Sequence, residues 1–492
     1  MTSNPIKKLA GETIIYGLGT IIPRILNYLL VPFYTRIFSQ NDYGQITELY
    51  AWVALIMVFL TYGMETAFFR YAQLEKKPNK VFNTATGSLL ITSVAFVLLV
   101  ALFLGDIAQS IQYSGHPEYI ILLALIVAFD AFTSLPFAYL RYQNKARRFS
   151  MIKVITVVIN IALNFVFLLL IPAMFKEKAS EWMLYRPENK IIFVFIANLI
   201  SSASALLLLI PELRVFRFSI DKALLKKLLA YGLPILVIGV AGMINEVSDK
   251  ILLKYLLPVD TVKEAEAQIG IYGANYKLAI LMMLFIQMFR YAAEPFFFRE
   301  SGKKEAKAIY SDVMTYFVIF TWLIFLGVTL NLNVVKYFIG PAFREGLMIV
   351  PVVLMAKLFL GVFYNLSLWY KLTNKTLYGA VIALAGAAIT IALNVILIPR
   401  YGYVGSAWAN FACYFSMMMI SFFWGRKVYK VNYKYGKLIL YSALALLLFF
   451  MYKYLDLQQT TMQVITAGIF ILVYLSVAFV VERKKLNRRL TR

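Results

Sequence analysis

Residues 191–210 read IIFVFIANLISSASALLLLI, a run without a single charged side chain. A helix rises about 1.5 Å per residue, so roughly 20 such residues cover the roughly 30 Å hydrocarbon core of a bilayer. No water is available there, and the backbone must satisfy its own hydrogen bonds, which makes the run a helix. Leu89 to Leu104 is a second run of the same kind. The rest of the chain follows suit: of 492 residues, 61% are hydrophobic and 15% are charged, where soluble domains hold about 45–50% and about 25%. The composition predicts an all-α integral membrane protein, and it speaks against chemistry carried out in water.

Working outward from these runs, about fourteen candidate spans follow. They lie near 12–37, 44–69, 81–105, 118–141, 151–172, 190–211, 227–257, 269–294, 309–331, 346–370, 376–399, 402–424, 436–454 and 461–481. Polar connections are short and leave no room for a soluble domain. The first span is long, contains Pro23 and Arg24 and lacks a small-residue cleavage site, so a retained helix is expected there. Pro23, Pro32, Pro136 and Pro234 each remove a helix hydrogen bond and predict kinks.

Charge supports the count. With the N-terminus inside, the inward connections include Arg141–Lys153, Arg214–Lys227, Arg299–Lys307, Arg426–Lys437 and the tail Arg483–Arg492. They hold about 33 Lys and Arg, against about 11 outside and about 5 within spans, the asymmetry of the positive-inside rule. The expected location is therefore the inner (cytoplasmic) membrane, multi-pass, with both termini cytoplasmic. The net charge of +24 reflects this topology and contact with anionic lipid rather than nucleic-acid binding.

The chain repeats itself at a spacing near 230 residues. Arg141-Tyr-Gln-Asn144-Lys145 returns as Lys371-Leu-Thr-Asn374-Lys375, and Ile159-Asn-Ile-Ala-Leu-Asn164 returns as Ile389-Thr-Ile-Ala-Leu-Asn394. Tyr43-Gly44 matches Tyr272-Gly273, and Tyr16-Gly17-Leu18 matches Tyr231-Gly232-Leu233 at a shorter offset, implying extra residues in a loop around Asp260–Gln268. The repeat pairs six spans with six, an even number, so the halves are parallel repeats, and in transporters the substrate site lies between such repeats. The expected organisation is a first repeat over 1–215, a second over 216–430, and two additional helices with a basic tail over 431–492.

Ionisable groups inside spans are costly and mark pathways. Arg24 shares a face of the first span with Asn27 and Tyr28, and Lys277, Gln287, Arg290 and Glu294 share a stripe in the eighth. Lys357 and Asp130 stand near mid-membrane, and Glu246 and Asp249 lie in the seventh span. Arg24, Lys277 and Lys357 have no acid nearby in sequence and are expected to line a cavity. Asp130 is expected either to pair with one of them or to bind a coupling cation. Glu48 and Lys277 are repeat-equivalent and could face each other across a cleft. Some charges have a purely structural reading: Glu246–Lys250 and Arg290–Glu294 have the i, i+4 spacing of helix salt bridges, and Glu65 could cap its span.

No catalytic constellation stands out. There is no Walker-type Gly-rich loop, and the single histidine, His116, and single cysteine, Cys413, exclude a His network, an intrachain disulfide or a Cys metal cluster. No cofactor is expected, and energy would come from an ion gradient (Na+ or H+), the membrane potential or downstream consumption.

The run Leu26-Asn-Tyr-Leu-Leu-Val-Pro32-Phe-Tyr-Thr-Arg36, closed by Asp42-Tyr43-Gly44, resembles the first-span signature of bacterial polysaccharide-unit flippases. So does Ala392-Leu-Asn394 through Pro399-Arg400-Tyr-Gly402 to Ala409. These flippases belong to the multidrug/oligosaccharidyl-lipid/polysaccharide exporter superfamily, and the resemblance spans the whole chain. It implies translocation of an undecaprenyl-diphosphate-linked oligosaccharide from the cytoplasmic to the periplasmic leaflet through a cationic cavity, to which Arg24 and Lys277 correspond in type and placement. Its partners would be that lipid-linked substrate, membrane lipids and other polysaccharide-assembly proteins. The in-span acids Glu48, Asp130, Glu246 and Asp249 depart from a purely cationic cavity. Two other readings stay open: a cation-coupled drug antiporter of the same superfamily, and a lipid II flippase.

Overall fold

The computed structural model describes Gly17 and residues 19–75, 77–175 and 190–490, without the side chains of 175 and 484–490. The start of the first span, with Tyr16 and Leu18 of the repeat, lies outside the described residues, as does the end of the basic tail. Among the described residues every regular element is a helix.

We number the long helices in chain order. α1 covers 19–37 with a turn at Leu29. It is followed by α2 (Gln40–Leu74), α3 (Pro78–Leu102), α4 (Pro117–Tyr142), α5 (Ala146–Met174), α6 (Ile191–Leu208) and α7 (Lys222–Leu256). α8 comes in two pieces, Val262–Lys277 and Ile280–Glu300. Then follow α9 (Ala306–Thr329) and α10 (Pro341–Leu372), and the stretch Thr376–Val428, which Gly402 divides into α11 and α12. α13 (Tyr435–Tyr454) and α14 (Thr460–Leu490) end the series. Among the described residues, twelve stretches are long and apolar enough to cross a membrane. The division at Gly402 adds one and α1 another, giving the fourteen expected from sequence.

The boundaries differ from expectation in two informative places. The loop expected around Asp260–Gln268 is mostly helix, because Thr261 caps it by accepting the Glu264 amide at 3.3 Å and good helix formers (Lys, Glu, Ala, Gln) follow. α2 is longer than expected and breaks at Tyr62 and Gly63, both in left-handed conformation (φ 31° and 70°).

The chain forms two compact units. One comprises the chain up to Ile251 with Val259–Glu266; the other comprises Leu252–Pro258 and the chain from Ala267 onward. In the first unit α1 lies close on α5: a Cβ at Gly19 would collide with Ser150, and the Tyr34 hydroxyl donates to Asn164 at 2.7 Å. α7 runs antiparallel beside α2. Gly232 meets the Tyr62–Gly63 break, Gly239 meets Val58, and Val247 and Ile251 pack on Ala51 and Trp52. In the second unit α13 and α14 are tied to α9. Trp322 Nε1 donates to Ser442 at 2.8 Å, and the Tyr474 hydroxyl donates to the Ile319 carbonyl at 3.2 Å.

The repeat reappears as repeated geometry. Asn144 and Asn374 both turn left-handed (φ 58° and 56°), and the amides of Lys145 and Lys375 return to the carbonyls of Leu140 and Tyr370 at 2.9 and 2.8 Å. Asn164 and Asn394 are both fully buried. Each donates to the carbonyl one turn back at 2.8 Å, and each accepts a hydroxyl, from Tyr34 and from Ser406.

Candidate functional site

In the second unit the in-span charges converge where α8 meets the end of α10. Arg290 and Glu294 lie one turn apart on α8, so their side chains share a face. Arg290 Nε is 3.8 Å from Glu294 Oε1, and Lys371 Nζ reaches the same oxygen at 2.5 Å. One carboxylate thus serves two cations, and the cluster keeps a positive charge. The Arg290 guanidinium also lies 4.1 Å from the centre of the Tyr364 ring, and its buried Nε has no hydrogen-bond acceptor. All three charged side chains are partly exposed.

Higher in α8, the break after Lys277 separates neighbours. Lys277 is exposed, while Tyr276 turns its ring onto Lys357. Lys357 is fully buried, its ammonium 4.8 Å from the Tyr276 ring centre and 4.9 Å from that of Tyr414. Expected as a cavity-lining cation, Lys357 instead sits out of reach of water in an aromatic cage, because α8 and α12 close over that side of α10. Gln287 is half-buried.

In the first unit, Arg24 and Asn27 are exposed and Tyr28 is half-buried. Glu48, Asp249 and Glu65 each meet a donor or cation within this unit. Glu48 is fully buried, accepting the Tyr113 hydroxyl at 2.7 Å and Trp52 Nε1 at 3.4 Å. Asp130 lies near Ser202 and Lys153. Of the partners expected for it, none was this lysine, which was placed in a connection; α5 begins at Ala146, so Lys153 lies two turns inside the helix, its Nζ 3.8 Å over the Phe137 ring. Asp249 pairs with Lys250 at 2.9 Å, and the same ammonium reaches the main-chain carbonyl of Glu246 at 3.0 Å. Glu65 does more than cap a helix: it pairs with Arg141. Glu65–Arg141 and Glu294–Lys371 are repeat-equivalent, offset by 229 and 230 residues.

His116 Nδ1 lies 3.0 Å from Glu118 and its ring stacks on Tyr119. Cys413 is buried. Among the described residues no group of acids, histidines and cysteines could hold a metal ion.

A sequence model of the family described as "Polysaccharide biosynthesis protein" matches residues 9–301. The chain belongs to the polysaccharide biosynthesis protein family. A curated relative of this member, "Lsg locus putative protein 1" of Haemophilus influenzae, is 20% identical over 300 residues, covering 61% of this chain and 68% of that protein. Among solved structures, "Lipid II flippase MurJ, inward closed conformation" superposes with a TM-score of 0.72 at 14% identity, covering 97% of this chain and all of that one. An inward-facing multidrug resistance MATE family transporter of the MOP superfamily superposes with a TM-score of 0.63 at 13% identity, covering 86% and 98%. This polysaccharide biosynthesis protein is therefore a multi-pass membrane protein with the fold of membrane transporters. Within it, reading the sequence had missed Tyr364, Tyr276 and Tyr414, which meet the buried or half-buried cations, and the role of Lys371, although its place in the repeat beside Arg141 marked it.

Proposed function

We propose that this protein is a flippase that moves an undecaprenyl-diphosphate-linked oligosaccharide from the cytoplasmic to the periplasmic leaflet by alternating access. The observation that carries the reading is the excess positive charge of Arg290 and Lys371 on Glu294, partly exposed where α8 meets the end of α10. An isolated cation in hydrocarbon is expensive, and a diphosphate offsets that cost through charge-assisted, bidentate hydrogen bonds. Lys277 and Gln287 would extend the polar path along α8, and Arg24, Asn27 and Tyr28 are proposed as polar contacts on α1, while the polyprenyl tail stays in lipid. The positive-inside rule supports placing both termini on the cytoplasmic side of an inner membrane.

A coupling cation, Na+ or H+, would need an acid able to exchange it. Asp130, set between Ser202 and Lys153, is the acid that favours the antiporter reading. A deletion strain complemented with variants separates the two. Arg290→Gln should reach the membrane at normal levels yet lower surface glycan at least tenfold, with lipid-linked oligosaccharide accumulating on the cytoplasmic side. Normal glycan in that strain would rule out a headgroup role for Arg290. Loss of drug resistance with unchanged glycan in the deletion strain would favour the antiporter.

A further inference from the structure

Away from the in-span charges, the first unit holds a polar cavity of about 380 Å³ lined by Lys77, Pro78, Asn79, Lys80, Asn83 and Ser219. Its walls are the start of α3 and the 214–221 segment leading into α7, both on the basic side of the membrane by the charge count above. The segment has no regular secondary structure over 216–220 and is strapped along α3. The Arg217 amide donates to Asn83 Oδ1 at 3.1 Å, and the Asp221 amide donates to Thr84 Oγ1 at 3.4 Å. Lys80 Nζ meets the Asp221 carboxylate at 2.5 Å.

The strap dips before it returns. Ile220 and Phe218 lie against Gly87, about 10 Å further along α3 than Lys80 at about 1.5 Å per residue. Phe218 is 64% exposed there. An exposed aromatic thus stands beside Gly87, inside the apolar span that the sequence predicts over 81–105, while the cavity lies at the polar start of that span. Asp221 answers Lys80, but Lys77 and Arg217 have no carboxylate partner among the described residues. Lys222, Lys226 and Lys227, all exposed on the first turns of α7, raise the local potential further.

We propose that this cavity binds the phosphate headgroup of an anionic membrane phospholipid, with Lys77 supplying charge at its wall, Arg217 on the adjoining strap adding to it and Phe218 flanking the acyl chains. A soluble phosphate would use the same cations but would gain nothing from Phe218. The full-length protein, released from bilayers of equal phosphatidylglycerol and phosphatidylcholine, can be weighed intact by native mass spectrometry with its retained lipid. The wild type should retain phosphatidylglycerol preferentially. Lys77→Gln and Arg217→Gln should each cut that preference about fivefold, the effect of one basic residue near an anionic surface. Asp221→Asn should raise it, because it releases Lys80 while its amide oxygen still accepts the Leu224 amide, as Asp221 does at 2.8 Å. Equal retention of the two lipids, or a preference that none of the three variants moves, would overturn the proposal. So would displacement of the lipid by millimolar inorganic phosphate, which would reassign the cavity to a soluble anion.

Discussion

Lys357 has no contact with water, and two tyrosine faces meet its ammonium. Ring faces carry negative potential, and a desolvated cation over one gains about 2 kcal/mol or more, against about 0.5–1 kcal/mol when exposed. The stabilisation belongs to the pair rather than to either residue. Tyr414→Leu should therefore lower the stability of the detergent-solubilised protein more in the wild type than in a Lys357→Met background, with a coupling of about 1 kcal/mol. A coupling near zero across that double-mutant cycle would show that the cage is only packing. Arg290 differs in the same terms. It shares Glu294 with Lys371 and remains partly exposed, so its charge is open to an incoming anion while that of Lys357 is enclosed.

Among the elements, glycines decide how closely helices meet. At the seam of α2 and α7, a Cβ on Gly232 would come within 2.7 Å of the Tyr62 carbonyl oxygen, a backbone atom that cannot move aside. On Gly239 it would come within 2.9 Å of a Val58 methyl, which can rotate. Gly232→Ala should thus cost about 1–3 kcal/mol of stability and Gly239→Ala less than about 1 kcal/mol, read as thermal midpoints in detergent. Equal losses at the two sites would mean that the seam is looser than this packing. The turn between α11 and α12 rests on Gly402, whose φ of 55° and ψ of −142° fall in a region open essentially to glycine alone. Gly402→Ala should destabilise the protein by about 1–3 kcal/mol. If the thermal midpoint is unchanged, the two helices can meet without that conformation.

Across the whole molecule, the same charged link closes both repeats. Glu65–Arg141 ties α2 to α4, and Glu294–Lys371 ties α8 to α10. Each pair is partly exposed, so screening holds its coupling to about 0.5–1 kcal/mol. Double-mutant cycles with neutral amides should return similar couplings in the two units, both weakening as salt rises. A coupling confined to one unit would mean that the repeat conserves the residues without their role.

What the sequence determined by itself follows from local physics. Apolar runs of bilayer length must be helices, because lipid offers the backbone no partner, and the basic connections fix how many there are. Words recurring at 230 residues predicted like local geometry, since the left-handed turns at Asn144 and Asn374 are local structures and similar sequences form them alike. Helical spacing predicted that Arg24 and Lys277 line a cavity; the structure shows both side chains exposed. Partnership was not legible in the sequence. Asp130 comes near Lys153 only because α4 and α5 lie side by side, and Lys357 is enclosed only because α8, α10 and α12 bring Tyr276 and Tyr414 to it. Helical periodicity assigns each charge a face of its own helix, but which side chain answers it depends on how helices pack across long stretches of chain, and that only the tertiary structure decided.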